Sequence, residues 1–188
     1  MGLRDIAFGR KKLPGPRDDR LFALATASVT LESELGLTSG GKAAITYRPL
    51  SSGEFTRVDN DTEQLIKTAA SSASSAIERK TDTFGFEWLI IGDPELEGQV
   101  TSVHAVAAEL TAQGFGAQLL AAPFRFDGGS HAVYLIYGFK RGAFWPFIPT
   151  GGQNRDNAAE LELKAKLEGE LPIEQDLSRW LGLFDAPI

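Results

Sequence analysis

The sequence contains no cysteine, one methionine and two histidines, His104 and His131. The absence of cysteine excludes a disulfide framework, a thiolate metal site and a cysteine nucleophile together. No run of residues approaches the length of an apolar membrane span, and Met1 to Pro16 lacks the apolar core and small residues of a cleavable signal, so a cytoplasmic location is expected. Basic residues are also in deficit. A net charge of -6 and a pI near 5.0 oppose binding to a phosphate backbone, so nucleic acid is not an expected partner.

The 188 residues suit one domain, and 43% hydrophobic with 23% charged residues is the balance of an ordinary folded core. The charge is polarised along the chain. Arg4, Arg10, Lys11, Lys12 and Arg17 mark the start, while Glu160, Glu162, Glu168, Glu170, Glu174, Asp176 and Asp185 mark the end. The stretch KKLPGP, residues 11–16, reads as a linker. Residues 1–17 are therefore expected to form a flexible basic arm and residues 18–188 a single domain.

Asp18 and Asp19 can cap a helix through Leu21, Leu24, Leu31 and Leu35, divided near Thr26 and Thr30 and stopped by Gly36. Ala43–Arg48 reads as a strand, forming a hairpin with Phe55–Val58. Asp61 with Gln64 opens a second helix, striped by Ile66, Ala69, Ala70, Ala73 and Ile77. Glu78–Thr83 and Phe86–Ile91 are strand candidates. Asp93 and Pro94 then start a helix through Leu96, Val100, Val103, Ala107 and Leu110 that ends at Gly114.

Gln118–Phe126 and His131–Phe139 flank a glycine-rich turn and predict a hairpin whose second strand is apolar on both faces, hence interior. Phe144–Pro149 is broken by proline and fits a sheet edge or a covering loop. Asn157 and Glu160 box the start of an acidic helix ending at Gly169, and the tail is expected to return Trp180, Leu181, Leu183 and Phe184 to the core. Helices and strands do not alternate as βαβ units. The expected fold is α+β, an antiparallel or mixed sheet with a central hairpin and helices packed against it.

Candidate reactive groups are sparse. Gly36–Lys42 has the glycine and lysine spacing of a phosphate loop, but Ala43 replaces the hydroxyl residue, and a helix precedes and a strand follows, the reverse of the required context. His104 lies beside the apolar stripe of its helix with no second histidine at metal spacing, which favours a packed histidine over the alternative reading, a ligand-binding or hydrolytic enzyme with His104 in a cleft. Ser130 and His131 are adjacent, so their side chains diverge along a strand. Glu32 with Glu34 and Glu95 with Glu97 do not converge on one helix face. No enzyme activity, metal or cofactor is expected.

Two segments suit contact with partners. Tyr137, Phe139, Lys140, Arg141, Phe144, Trp145 and Phe147 gather the residue types enriched in interface cores; the competing reading has the rings covering the sheet's own edge. In the arm, Leu3, Ile6 and Phe8 stand against Arg4, Arg10, Lys11 and Lys12, a short version of a membrane-surface helix, with a plain flexible tail as the alternative.

The blocks MGLRDIAFGRKK, FGFEWL, HAVAAEL with GFGAQLLA, VYLIYGFKRGAFWPF and RDNAAELELKAKLEGELPIEQDLSRW, in this order along nearly the whole chain, resemble the PspAB family of PspA-associated proteins from phage-shock systems. The resemblance implies a cytoplasmic accessory of PspA, a coiled-coil protein on the inner face of the membrane under envelope stress. It carries over no catalytic residues. It implies a protein that binds PspA or another stress-response component, with weak peripheral membrane contact through the arm as a further expectation.

Overall fold

The computed structural model describes residues 20–48, 64 and 76–188. Its centre is a six-stranded antiparallel sheet built from β1 (Thr38–Tyr47), β2 (Ala76–Thr81), β3 (Glu87–Gly92), β4 (Leu119–Asp127), β5 (Val133–Gly138) and β6 (Ala143–Phe147), in the order β2–β3–β1–β4–β5–β6. Two short strands, β7 (Pro149–Gly151) and β8 (Asn154–Arg155), pair separately. The helices are α1 (Ala23–Thr26), α2 (Ser28–Ser33), α3 (Leu96–Ala112) and α4 (Asn157–Leu167), with a 3-10 turn at Leu177–Arg179. The fold is α+β.

The β4–β5 hairpin forms as expected, and β5 has a neighbour on each side with Val133 to Tyr137 all buried. The first helix does divide, at Ala27, and Gly36 follows it at φ +64°, a left-handed conformation open to glycine. Strand β1 begins earlier than expected, at Thr38, and takes β3 and β4 as its two neighbours. The predicted partner Phe55–Val58 lies outside the described residues, as does most of the predicted helix after Asp61, in which Gln64 is helical. Ile77, assigned to that helix from its spacing, belongs instead to β2, opposite Ile91. Its own β-branched side chain and the ladder to β3 outweigh the helical period.

Register divides the sheet into two faces. One carries Ala43, Ile45, Leu89, Ile91, Ala122, Phe124, Leu135, Tyr137 and Phe144, all 0% exposed. The other carries Ala44, Thr46, Trp88, Ala121, Ile136, Gly138 and Trp145. Helix α3 packs on β1, β3 and β4 with Val100, Val103, Val106, Ala107 and Leu110 buried. The C-terminal tail crosses the second face, where Trp145 Nε1 donates to the Leu181 carbonyl (3.0 Å) and the Tyr134 hydroxyl to the Ile188 carbonyl (2.9 Å). The helix therefore covers the first.

Pro146 lies in the edge strand β6, where its missing N–H falls on the outer side. On that side Phe144 N–H donates to Pro172 O and Glu174 N–H to Phe144 O, both 2.8 Å, so the returning chain covers the edge.

Candidate functional site

Two adjoining cavities open on the tail-covered face. The larger, about 540 Å³, has a sheet floor of Thr46, Trp88, Ala121 and Trp145, a wall of Phe84 and Phe86 and a cover of Leu181 to Ala186. The smaller, about 320 Å³, runs beside the 3-10 turn along Arg141, Glu174, Ser178 and Arg179. Leu120, Lys140, Trp145 and Leu181 line both.

These spaces follow from local sequence. A Cβ at Gly138 would stand 2.9 Å from the Trp145 ring, so glycine at that position lets the indole lie against β5. The Phe84 wall is set by Asp82, whose Oδ1 accepts from the N–H groups of Phe84 and Phe86 and whose Oδ2 accepts from Trp88 Nε1, all at 2.9 Å. Slight burial works to raise the Asp82 pKa, but the hydrogen bonds from Trp88, Phe86, Phe84 and Gly85 outweigh it and hold the carboxyl below its ordinary value. Phe84 itself is 71% exposed at the hairpin tip.

The tail is held in place by a buried ion pair that the sequence reading missed. Both carboxylate oxygens of Glu160 accept from Arg155 Nε at 2.9 Å, and Oε1 also accepts from Ile148 N–H at 2.8 Å. The same guanidinium donates to Trp180 O (2.7 Å) and Pro146 O (3.4 Å) and lies over the Phe147 ring, 5.0 Å from its centroid. One cation thus joins β6, α4 and the tail. The helix cap lies one residue before Asn157, where Asp156 Oδ1 accepts from Ala159 N–H, so Glu160 is free to turn inward.

The predicted partner segment is divided by the fold. Tyr137, Phe139, Phe144 and Phe147 are interior side chains, Tyr137 packing its ring against Phe139 and Phe144 and Phe147 packing against Phe184. Their alternation on paired strands buries them on both faces of the sheet. Lys140 and Arg141 are exposed in the tight β5–β6 turn, and Trp145, 7% exposed, lines both cavities. Of the tail residues, Trp180 is buried and Leu183 and Phe184 pack on the core, but Leu181 is 64% exposed.

His104 packs its ring against Phe22, centroids 4.9 Å apart, and lines neither cavity. His131 is exposed in the hairpin turn, and Lys42 is an exposed strand residue opposite Gly92, preceded by helix α2 and the Gly36 turn. Glu32, Glu34, Glu95 and Glu97 are all exposed. Among the described residues, no cluster of three His, Cys, Asp or Glu side chains is placed to hold a metal ion, and no helix is long and apolar enough to cross a membrane. Leu3, Arg4, Ile6, Phe8, Arg10, Lys11 and Lys12, the proposed membrane contacts, lie outside the described residues, as does the boundary near residue 17.

Residues 1–188, the whole chain, match the family model described as PspAB, PspA associated protein B. The chain belongs to the PspAB family. No curated protein and no solved structure matches it. The description of the PspAB family names an association with PspA, which fits an accessory protein.

Proposed function

We propose that this PspAB protein is a non-enzymatic, cytoplasmic accessory of PspA in the envelope stress response, acting by protein binding through the surface around the smaller cavity. The observation that carries the reading is the meeting of exposed apolar and cationic side chains there. Leu181, 64% exposed, lines the smaller cavity together with Lys140, Arg141 and Arg179, and Leu177, 50% exposed, lies in the adjoining 3-10 turn. Apolar side chains ringed by cations suit a partner segment that is apolar on one side and acidic around it. Trp145 serves as the floor of that surface and the buried rings behind it as its support.

Arg141 pairs with Glu174 at 3.3 Å and Arg179 with Asp176 at 3.0 Å and Glu174 at 3.9 Å, so their charge is partly balanced, while Lys140 has no ion pair among the described residues. Capture of PspA by the full chain tests the reading. A Leu181→Asp, Arg141→Glu double variant with unchanged circular dichroism is expected to lose capture. Retained capture would remove this surface as the contact.

A further inference from the structure

The larger cavity has a composition and shape that protein contact does not use. Its floor, wall and cover are mostly aromatic or aliphatic, with Thr46 in the floor and Asp185 in the cover, and about 540 Å³ lies within the range of sites for small organic ligands. The tail that covers it is tied down on both sides, by Trp145 to Leu181 and by Tyr134 to Ile188, with Phe184 edge-on to Phe147 between them. What remains is a slot between a sheet and an anchored strap.

The charges around the slot are few. Asp82 is committed to three hydrogen bonds within its own hairpin. Arg48 lies over the Phe86 ring at 5.9 Å, and Lys140 stands where the two cavities meet. Neither cation has an ion pair among the described residues, and Asp185 is the one lining carboxylate without a partner among them. The uncommitted side chains therefore carry two positive charges against one negative.

We propose that this slot binds a single-chain amphiphile with an anionic head, a molecule of the fatty-acid class. Its chain lies between Trp88 and Trp145 on the sheet side and Leu183 and Phe184 on the tail side, with the carboxylate at Lys140. A hydrocarbon chain is thin enough to enter under a fixed strap and needs no hydrogen-bond partners from an apolar lining. A peptide backbone there would leave its N–H and C=O groups unpaired. The inference goes beyond the proposed contact with PspA and does not rest on it.

Two of the three tryptophans, Trp88 and Trp145, line the slot and report directly on occupancy. Titrating the full chain with a dibrominated fatty acid below its micelle concentration should quench tryptophan emission saturably. Lys140→Glu, at an exposed turn, should raise the apparent Kd by about tenfold, as loss of a charge-assisted contact does. Ala121→Leu, which fills the floor, should abolish saturation while Arg141→Glu leaves it intact. Absence of saturable quenching in the wild-type chain, or equal affinity in wild type and Lys140→Glu, would overturn the proposal. The Arg141→Glu arm separates it from PspA capture, which that substitution is designed to weaken.

Discussion

The two faces of the central sheet are made from the same strands but closed by different means. Ala43, Ile45, Leu89, Ile91, Phe124 and Leu135 are sealed under helices with nothing exposed, a close-packed apolar interface. On the opposite face Thr46, Ala121 and Gly138 are small, and the tail lays only half-buried Leu183 and Phe184 over them. Space is left over. The first face is held by volume, the second by a few directed polar contacts, and the cavities follow from that difference.

Removing the central polar contact is the strongest way to break the comparison. Arg155→Met keeps much of the apolar stem but leaves the Glu160 carboxylate, 1% exposed, without its cation. Stranding a buried charge in this way costs about 3–5 kcal/mol. Urea denaturation should show that loss. The tail should also loosen before the sheet unfolds, seen as a Trp145 and Trp180 fluorescence change ahead of the far-ultraviolet transition. Coincident transitions with a loss below about 1 kcal/mol would mean that packing holds the tail after all.

A paired substitution sharpens the contrast at smaller scale. Ile45→Val removes one carbon from the sealed face and should cost about 0.5–1.5 kcal/mol, because the surrounding atoms cannot close over the gap. Leu181→Ala removes three carbons from a side chain that is 64% exposed and should stay within about 0.5 kcal/mol. Denaturant midpoints at constant slope measure both. Equal costs would show that the tail-covered face is packed as tightly as the other.

The sealed face was largely legible in the sequence, and the other was not. Two nearly continuous apolar runs on either side of a glycine-rich turn placed β4 and β5, and the Leu96–Leu110 spacing with a stop at Gly114 placed α3, because each is a local pattern. The aromatic segment misled for a related reason. Residue type alone does not say which rings a strand turns inward, and Tyr137, Phe139, Phe144 and Phe147 proved to be core while Lys140, Arg141 and Trp145 reached the cavities. Glu160 looked like one more charge of an acidic helix. Its burial depends on Arg155 arriving from a neighbouring strand and Trp180 from the tail, a meeting no local window contains. An Asp-Asn pair at the helix start, which lets Asp156 and not Asn157 serve as the cap, was the one available sign.

The smallest expected effect concerns the hairpin wall and depends on pH. The Asp82 carboxyl is held below its ordinary value because its charged form collects donors from Trp88, Phe86, Phe84 and Gly85, more than offsetting the rise that slight burial favours. A carboxyl with a depressed folded pKa contributes stability above its unfolded value, about 3.9, and loses it as pH falls through the folded value. Asp82→Asn keeps an oxygen for the Phe84 and Phe86 N–H groups but presents an amide N–H₂ to Trp88 Nε1, which is itself a donor. The variant should therefore be less stable than wild type at pH 6, and the gap should narrow as pH is lowered below 4. Parallel stability curves across that range would mean that the wall of the larger cavity is set by the turn backbone and not by the Asp82 charge.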